Sequence, residues 1–401
     1  MCFGIIINNN QNLLIAKTFL FHLYYINIIG LYNEGISEMA NKFERIVKKS
    51  VLNIKPYVPG KPVEEVQREL KLKDVVKLAS NENPLGPSKK AIKAMALKLN
   101  KVNYYPESSV YYLRKALAKK LKVKENMLMF GNGSNELEQL IAEAFVEKDD
   151  EVMYSVLSFV VYPIVTNIAG GTPVQIPHKD FGHDIDKFIE RLNKKTKLVF
   201  LCSPNNPTGT IIKKSELERF MKAVPSSVIV VLDEAYCEYV TDKNYPDGVK
   251  YISKYPNLIV LRTFSKIYGL AGVRTGYGIA HPDIVEIIER VRPPFNVNAV
   301  AQEGARAALA DTEHVRRTVR VNNEGKRYLY AELKKLGVRY VKTNANYIFV
   351  KFNVNSKVVF DELLKKGVII RTVFDNFARI TIGTMKENKK LIKALKETKD
   401  F

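Results

Sequence analysis

The sequence predicts an α/β protein: a large domain on a mainly parallel sheet, then a smaller α+β domain. Three observations carry this. Apolar, strand-like runs recur at 127–130, 151–155, 172–177, 197–201, 227–233, 257–262 and 276–280. Helical patterns separate or flank them at 88–99, 109–121, 134–146, 160–168, 184–193, 214–223 and 282–290, which calls for a sheet covered on both faces. The rhythm then changes. One long helical stretch (298–336) is followed by strands at 338–342, 346–352, 368–373 and 378–382, with helices at 357–366 and at the end.

At 401 residues the chain exceeds one simple core and suits two domains. The expected division is an atypical leader (1–38), an arm plus part of the small domain (39–82), the large domain (83–300) and the small domain (301–401). A hinge is expected near 292–305, where Pro293 and Pro294 break the pattern. In the arm, residues 43–52 read as helical. The three prolines of 54–62 enforce extension, 63–70 reads as a helix and 75–79 as a strand. Residues 13–32 are apolar for about a membrane span, interrupted by Lys17, His22 and Asn27 and preceded by NNNQN. A signal anchor, an extra helix and a translation start set too early compete here. The last is preferred, because Met39 begins a sequence that reads as an ordinary enzyme.

The net charge of +21 would suit a nucleic-acid partner, but the basic residues are dispersed on amphipathic helices such as 386–399. Solvated helix faces and small anionic substrates explain it better, so no nucleic-acid partner is expected, and no membrane partner. Cys2, Cys202 and Cys237 form no C-x-x-C pair, and the five histidines show no metal-ligand spacing. No metal is expected, His178 and His183 read as surface residues, and a reducing cytoplasm is the expected location.

In such a sheet, ligands sit beyond the carboxyl ends of the strands. Polar residues follow those ends repeatedly: CSPNNPTG after 197–201, Asp233 and EAY after 228–232, TFSK after 257–262 with Arg274 eight residues past Lys266, and GNGSNE after 127–130. Each has an ordinary explanation alone, as a surface lysine, a helix cap or a Pro-Gly turn. Together they describe one site. Lys266 can form an imine once deprotonated. Asp233, at the end of an apolar run, wants a cation such as a protonated pyridine nitrogen. Asn206 and Tyr236 suit the hydrogen-bonding of a phenolic oxygen. Gly133, Ser134 and Asn135 open a helix able to receive a phosphate, with Arg274, Thr263 and Ser265 to neutralise it.

SPNNPTG, LDEAY and TFSKIYGLAGVRTGY resemble signatures of the fold-type I pyridoxal-phosphate aminotransferases. The resemblance covers nearly everything from about residue 50. KPYVPGKP, LASNENPLGPS, NYYPE, GNGSNELEQLI, RPPFNVNAVAQ and ARITIGT are most similar to the histidinol-phosphate branch. The resemblance implies an aspartate aminotransferase-like fold, pyridoxal 5'-phosphate as cofactor and Lys266, Asp233 and Tyr236 as catalytic residues. It implies Phe159 stacked on the cofactor ring and Tyr105 reaching the phosphate of a neighbouring subunit, hence a homodimer with shared sites. It also implies Arg379 gripping the substrate anion, with Tyr57, Asn83 and Asn206 around the substrate. Arg371 has suitable character without an assigned role. Asn135 stands where the family often has Asp, and residues 1–40 match nothing in it. The implied reaction moves an amino group between L-histidinol phosphate and 2-oxoglutarate, giving imidazole-acetol phosphate and glutamate, a step of histidine biosynthesis. Alternatives of the same fold are a threonine-phosphate decarboxylase and a broad aromatic aminotransferase.

Overall fold

The computed structural model describes residues 43–398. The apolar run 13–32, NNNQN, Cys2 and Met39 lie outside the described residues. The chain divides into one unit up to Asn53 and a second from Ile54 onward. In the first unit, the helix expected over 43–52 is a single turn, Lys49–Leu52, without a side-chain cap or a buried residue. So short a helix with no buried face has nothing to propagate it.

The second unit holds two main sheets. The larger contains β1 (Leu128–Gly131), β2 (Glu151–Ser155), β3 (Thr172–Ile176), β4 (Thr196–Cys202), β5 (Ile229–Asp233), β6 (Leu258–Thr263) and β7 (Gly276–Ile279). Their order is β1-β7-β6-β5-β4-β2-β3. Only β7 runs antiparallel to its neighbours. Helices cover both faces, so β5 is buried along its whole length and β6 everywhere but at Arg262. One apolar cluster includes Val230 and Leu232 of β5. The other takes Val231 of the same strand, with Leu137, Ile141 and Tyr162. The alternation follows the two-residue repeat of a strand.

The helices that matter for the site are α1 (Ser134–Phe145) and α2 (Val161–Ala169), packed on each other. The helical stretch expected over 298–336 is in fact two helices, α3 (Ala299–Ala310) and α4 (Thr312–Lys335). Asp311 separates them, its side chain accepting from His314 N as the cap of α4. A capping aspartate at that point starts a new helix rather than extending the old one.

The smaller sheet has β8 (Arg339–Val341), β9 (Tyr347–Lys351), β10 (Arg371–Phe374) and β11 (Phe377–Thr381), in the order β8-β9-β11-β10, all antiparallel. The strand expected over 368–373 divides into Val368–Ile369, which pairs in parallel with Val76–Lys77, and β10. The Leu78 carbonyl then accepts from Thr381 N–H at 2.8 Å, which ties this segment to β11 of the smaller sheet. Among the described residues no helix is long and apolar enough to cross a membrane.

Candidate active site

Adjacent acids end β5, and their partners separate them. Glu234 is fully buried and paired with Arg262 at 2.7 Å, so its charge is met. Asp233 is 3% exposed, and among the described residues no lysine, arginine or histidine lies in ion-pair contact with it. Oδ2 accepts from the Tyr162 hydroxyl at 2.9 Å and from the Cys202 thiol at 3.7 Å, while Oδ1 accepts from Ala235 N–H at 3.0 Å. Burial raises the Asp233 carboxyl above its ordinary range, and these donors oppose the rise.

Lys266, past the end of β6, donates from Nζ to the Ser80 carbonyl at 3.2 Å and lies 5.6 Å from the Tyr236 ring centroid. Burial, and then the nearby Arg379, lower its ammonium to about 8. The Tyr236 hydroxyl receives Asn81 Nδ2 at 3.0 Å and Asn206 Nδ2 at 3.5 Å. Its pKa is raised by burial, so it stays protonated and able to donate. Tyr236, Asn206 and Lys266 therefore meet around one small volume with Asp233 in the same neighbourhood.

An open helix N-terminus stands beside them. Gly133 caps α1 at φ 87° with no side-chain cap on the first N–H groups. A Cβ there would collide with the Arg274 guanidinium, and one at Gly276 with Ser134 N. Both glycines keep the space open. Arg274 is itself left-handed, at φ 59°, and its Nη1 lies 3.3 Å from Ser265 Oγ. Thr263 Oγ1 accepts Ser265 N–H at 3.1 Å and fixes that loop. Ser134 and Asn135 open the helix, partly buried. A helix N-terminus, an arginine and a hydroxyl around an open space suit a phosphate.

Arg379 donates from Nη1 to Asn206 Oδ1 and from Nη2 to Ala79 O, both at 2.6 Å, leaving Nε buried and without a partner among the described residues. Arg371 is its direct antiparallel partner on β10, so both side chains share one face. Arg371 reaches Val58 O at 2.9 Å and lies 5.6 Å from the Tyr57 ring. A cavity of ≈ 300 Å³ is lined by both arginines, Tyr57, Phe159, Asn206 and Phe374. Like charges directly opposite on a sheet repel unless an anion joins them.

Two expected residues sit elsewhere. Asn83 binds Ile267 O at 2.8 Å and Thr318 Oγ1 at 3.3 Å, bracing the backbone beside Lys266. Tyr105 is 83% exposed and stacks on Phe295 at 4.8 Å. His183, expected at the surface, is partly buried with Nε2 2.8 Å from Cys202 O. Burial lowers its pKa to about 4. The hairpin it sits on folds back over the end of β4. Sequence reasoning missed Ser80 and Asn81, although polar residues after the expected strand at 75–79 obey the strand-end rule used for the others. Tyr162 and Glu138 gave no such signal, since both lie within helices.

Glu138 on α1 is fully buried, and neither carboxyl oxygen has a partner among the described residues. Burial, and secondarily Asp233, push its pKa well above 4.5. A raised carboxyl contributes stability that is intact below the unfolded value and lost as pH rises through the folded one. Glu138→Gln is therefore expected to match the parent near pH 4.5 and to melt several degrees higher at pH 8. Thermal unfolding of the cofactor-free protein across that range checks this, and equal midpoints at pH 8 would refute it.

A model of the class I and II aminotransferases matches residues 73–395. The chain is 49% identical over 355 residues to a histidinol-phosphate aminotransferase of Moorella thermoacetica, covering 87% of this chain and 92% of the relative. It is 46% identical to that of Caldicellulosiruptor saccharolyticus, covering 87% and 99%. The crystal structure of a histidinol-phosphate aminotransferase from Sinorhizobium meliloti, in complex with pyridoxal-5'-phosphate, superposes with TM-score 0.82 at 25% identity, over 90% of this chain and 98% of that one. Fold and site thus define an aminotransferase-type enzyme. The chain belongs to the class I and II aminotransferases and, within them, to the histidinol-phosphate aminotransferase family.

Proposed function

We propose that this enzyme holds pyridoxal 5'-phosphate on Lys266 and moves an amino group between L-histidinol phosphate and 2-oxoglutarate. The observation that carries the cofactor reading is Asp233, a buried carboxylate with no ion-pair partner among the described residues, near a lysine whose amine is held near 8. Asp233 would pair with a protonated pyridine nitrogen of the cofactor. When bound, the cofactor supplies an electron sink for the substrate Cα carbanion. The chain's own residues do the rest. Lys266 Nζ takes the proton from the substrate Cα and later returns it. Tyr236 and Asn206 hold the cofactor's phenolic oxygen, and Phe159 covers the ring. Gly133, Ser134, Asn135, Thr263, Ser265 and Arg274 receive its phosphate.

Arg379 and Arg371 grip the substrate anion, a carboxylate in one half-reaction and a phosphate in the other. Their shared face and the free Nε support this, and a planar guanidinium fits either anion. Arg379→Gln is expected to lower kcat/KM about 10–100-fold for both histidinol phosphate and glutamate, the scale of one or two charged hydrogen bonds. Unchanged values for either substrate would remove the shared grip.

The working unit in this reading is a homodimer. Tyr105 lies among exposed apolar side chains, including Leu97, Leu99, Val102, Tyr104 and Tyr112, and its hydroxyl is free to reach a second copy's phosphate. A cytoplasmic setting suits Cys202 and Cys237, both unpaired. The deciding experiment is a coupled amino-transfer assay with histidinol phosphate against a panel of aromatic amino acids. Preferred turnover of histidinol phosphate, with 2-oxoglutarate consumed, is expected. Equal turnover of the aromatic panel would favour a broad aromatic aminotransferase, and CO2 release from threonine phosphate the decarboxylase.

A further inference from the structure

The layer behind Asp233 holds a residue with two simultaneous contacts to the site. Tyr162 of α2 is 0% exposed, and its hydroxyl is the short donor to Asp233 Oδ2. Its ring stacks on Phe200 at 4.5 Å, and Phe159 meets it edge-on at 5.8 Å. Cys202 is the register partner of Asp233 across β4 and β5, and its sulfur approaches the same oxygen. But the thiol also lies 3.4 Å from Pro204 O, and one S–H proton cannot serve both acceptors.

We propose that Tyr162 is a positioning residue: its hydroxyl keeps the Asp233 carboxylate oriented and anionic toward the cofactor's ring nitrogen, while its ring fixes the face of Phe159. The inference rests on the cofactor reading above and concerns which residue makes that reading work.

The physical need is specific. A carboxylate buried without water gains proton affinity, and a buried Asp233 would tend to pull the proton off the ring nitrogen. A hydrogen bond donated to its charged form opposes that. Tyr162 is held in its protonated form, because burial and then the Asp233 charge raise its phenol well above the ordinary value, and toward a carboxylate oxygen that O–H donates. The other titratable groups facing this point are Cys202 from β4, Glu138 from α1 and Lys266 from the loop after β6. Cys202 and Glu138 are both shifted by burial toward their protonated forms, so neither supplies a competing anion. Tyr162 also meets the Phe159 ring edge-on, which couples the pairing of the ring nitrogen to the stacking on the ring face.

The test uses Tyr162→Phe, which keeps the ring and removes only the oxygen. Cofactor affinity is read by titrating cofactor-free enzyme with pyridoxal phosphate. The protonation of the ring nitrogen is read from the 15N shift of ring-labelled cofactor in the holoenzyme. Expected are an intact attachment to Lys266, a dissociation constant raised about tenfold, and a 15N shift moved toward unprotonated pyridine. Wild-type affinity and an unmoved shift in Tyr162→Phe would overturn the proposal. Cys202→Ala is expected to change affinity less than about threefold, and a loss as large as that of Tyr162→Phe would overturn the assignment of Tyr162 as the main donor. Should Tyr162→Phe not fold, 3-fluorotyrosine in place of Tyr162, a stronger donor, is expected to tighten cofactor binding, and weaker binding would count against the idea. A wild-type protein without cofactor on Lys266 would sink the cofactor reading itself, so the two failures are told apart by that control.

Discussion

Lys266→Ala is expected to lose the visible absorption of the attached cofactor and at least about 10⁴-fold in amino transfer. Two functions reside in one nitrogen. Its amine bonds the Ser80 carbonyl and faces the Tyr236 ring, whose hydroxyl Asn81 and Asn206 hold, and the covalent attachment depends on that amine. The same nitrogen moves the Cα proton, and removal of such a group costs far more than a lost contact. Exogenous alkylamines are expected to restore part of the turnover, because the space left by the side chain admits a small base. The pH dependence follows from the lowered ammonium. With a value of about 8, about half the amine is free at pH 8, against roughly one part in 300 for an ordinary lysine. The rate of cofactor attachment to the cofactor-free enzyme should therefore rise with pH and level off above about 8. A rise continuing past pH 10 would mean that Lys266 is not desolvated.

Asp233→Ala is the second large effect. Turnover is expected to fall about 10³-fold or more while some cofactor stays on Lys266, since attachment and ring protonation depend on different residues. The carboxylate sits at the end of a strand buried along its length and makes no ion pair among the described residues, so its charge is left for the ligand. Alanine also strips acceptors from the Tyr162 hydroxyl and the Ala235 N–H, adding about 1–3 kcal/mol of destabilisation for each unmet buried donor, while the Cys202 thiol keeps the Pro204 carbonyl. Asp233→Asn separates the two consequences. It keeps an acceptor for Tyr162 but not the charge, so stability should recover more than turnover. Near-normal kcat in Asp233→Ala, with the protein folded, would contradict the electron-sink role.

Much of this was legible in the chain. The strands of the larger sheet were readable because buried parallel strands are continuous apolar runs, and β5 and β6 end on Asp233 and Thr263, with Asn206 four residues past the end of β4. Asp233, Tyr236, Lys266, Asn206 and Arg274 sit at such ends, so a single rule gathered them. Arg379 needed the family resemblance, because nothing in FARIT says which face of β11 meets the cavity. What was not legible depends on side chains meeting across long separations. Asn81 meets Tyr236 over 155 residues, and Tyr162 meets Asp233 over 71. A helical tyrosine flanked by apolar residues reads as core, and Tyr162 is indeed core, with one polar atom directed at the site. Glu138 was hidden for the opposite reason. A glutamate in an amphipathic helix reads as solvated, and only the packing of α1 against α2 and the sheet makes it buried. The break at Asp311 was missed because a helical pattern runs on both sides of it, and one cap was outweighed by more than twenty compatible residues.

The most direct test of the central claim is reduction of the purified holoenzyme with borohydride, followed by proteolysis and mass spectrometry. A single pyridoxyl-phosphate adduct on the peptide containing Lys266 is expected. An adduct on another lysine, or none at all in protein that transfers amino groups, would contradict it.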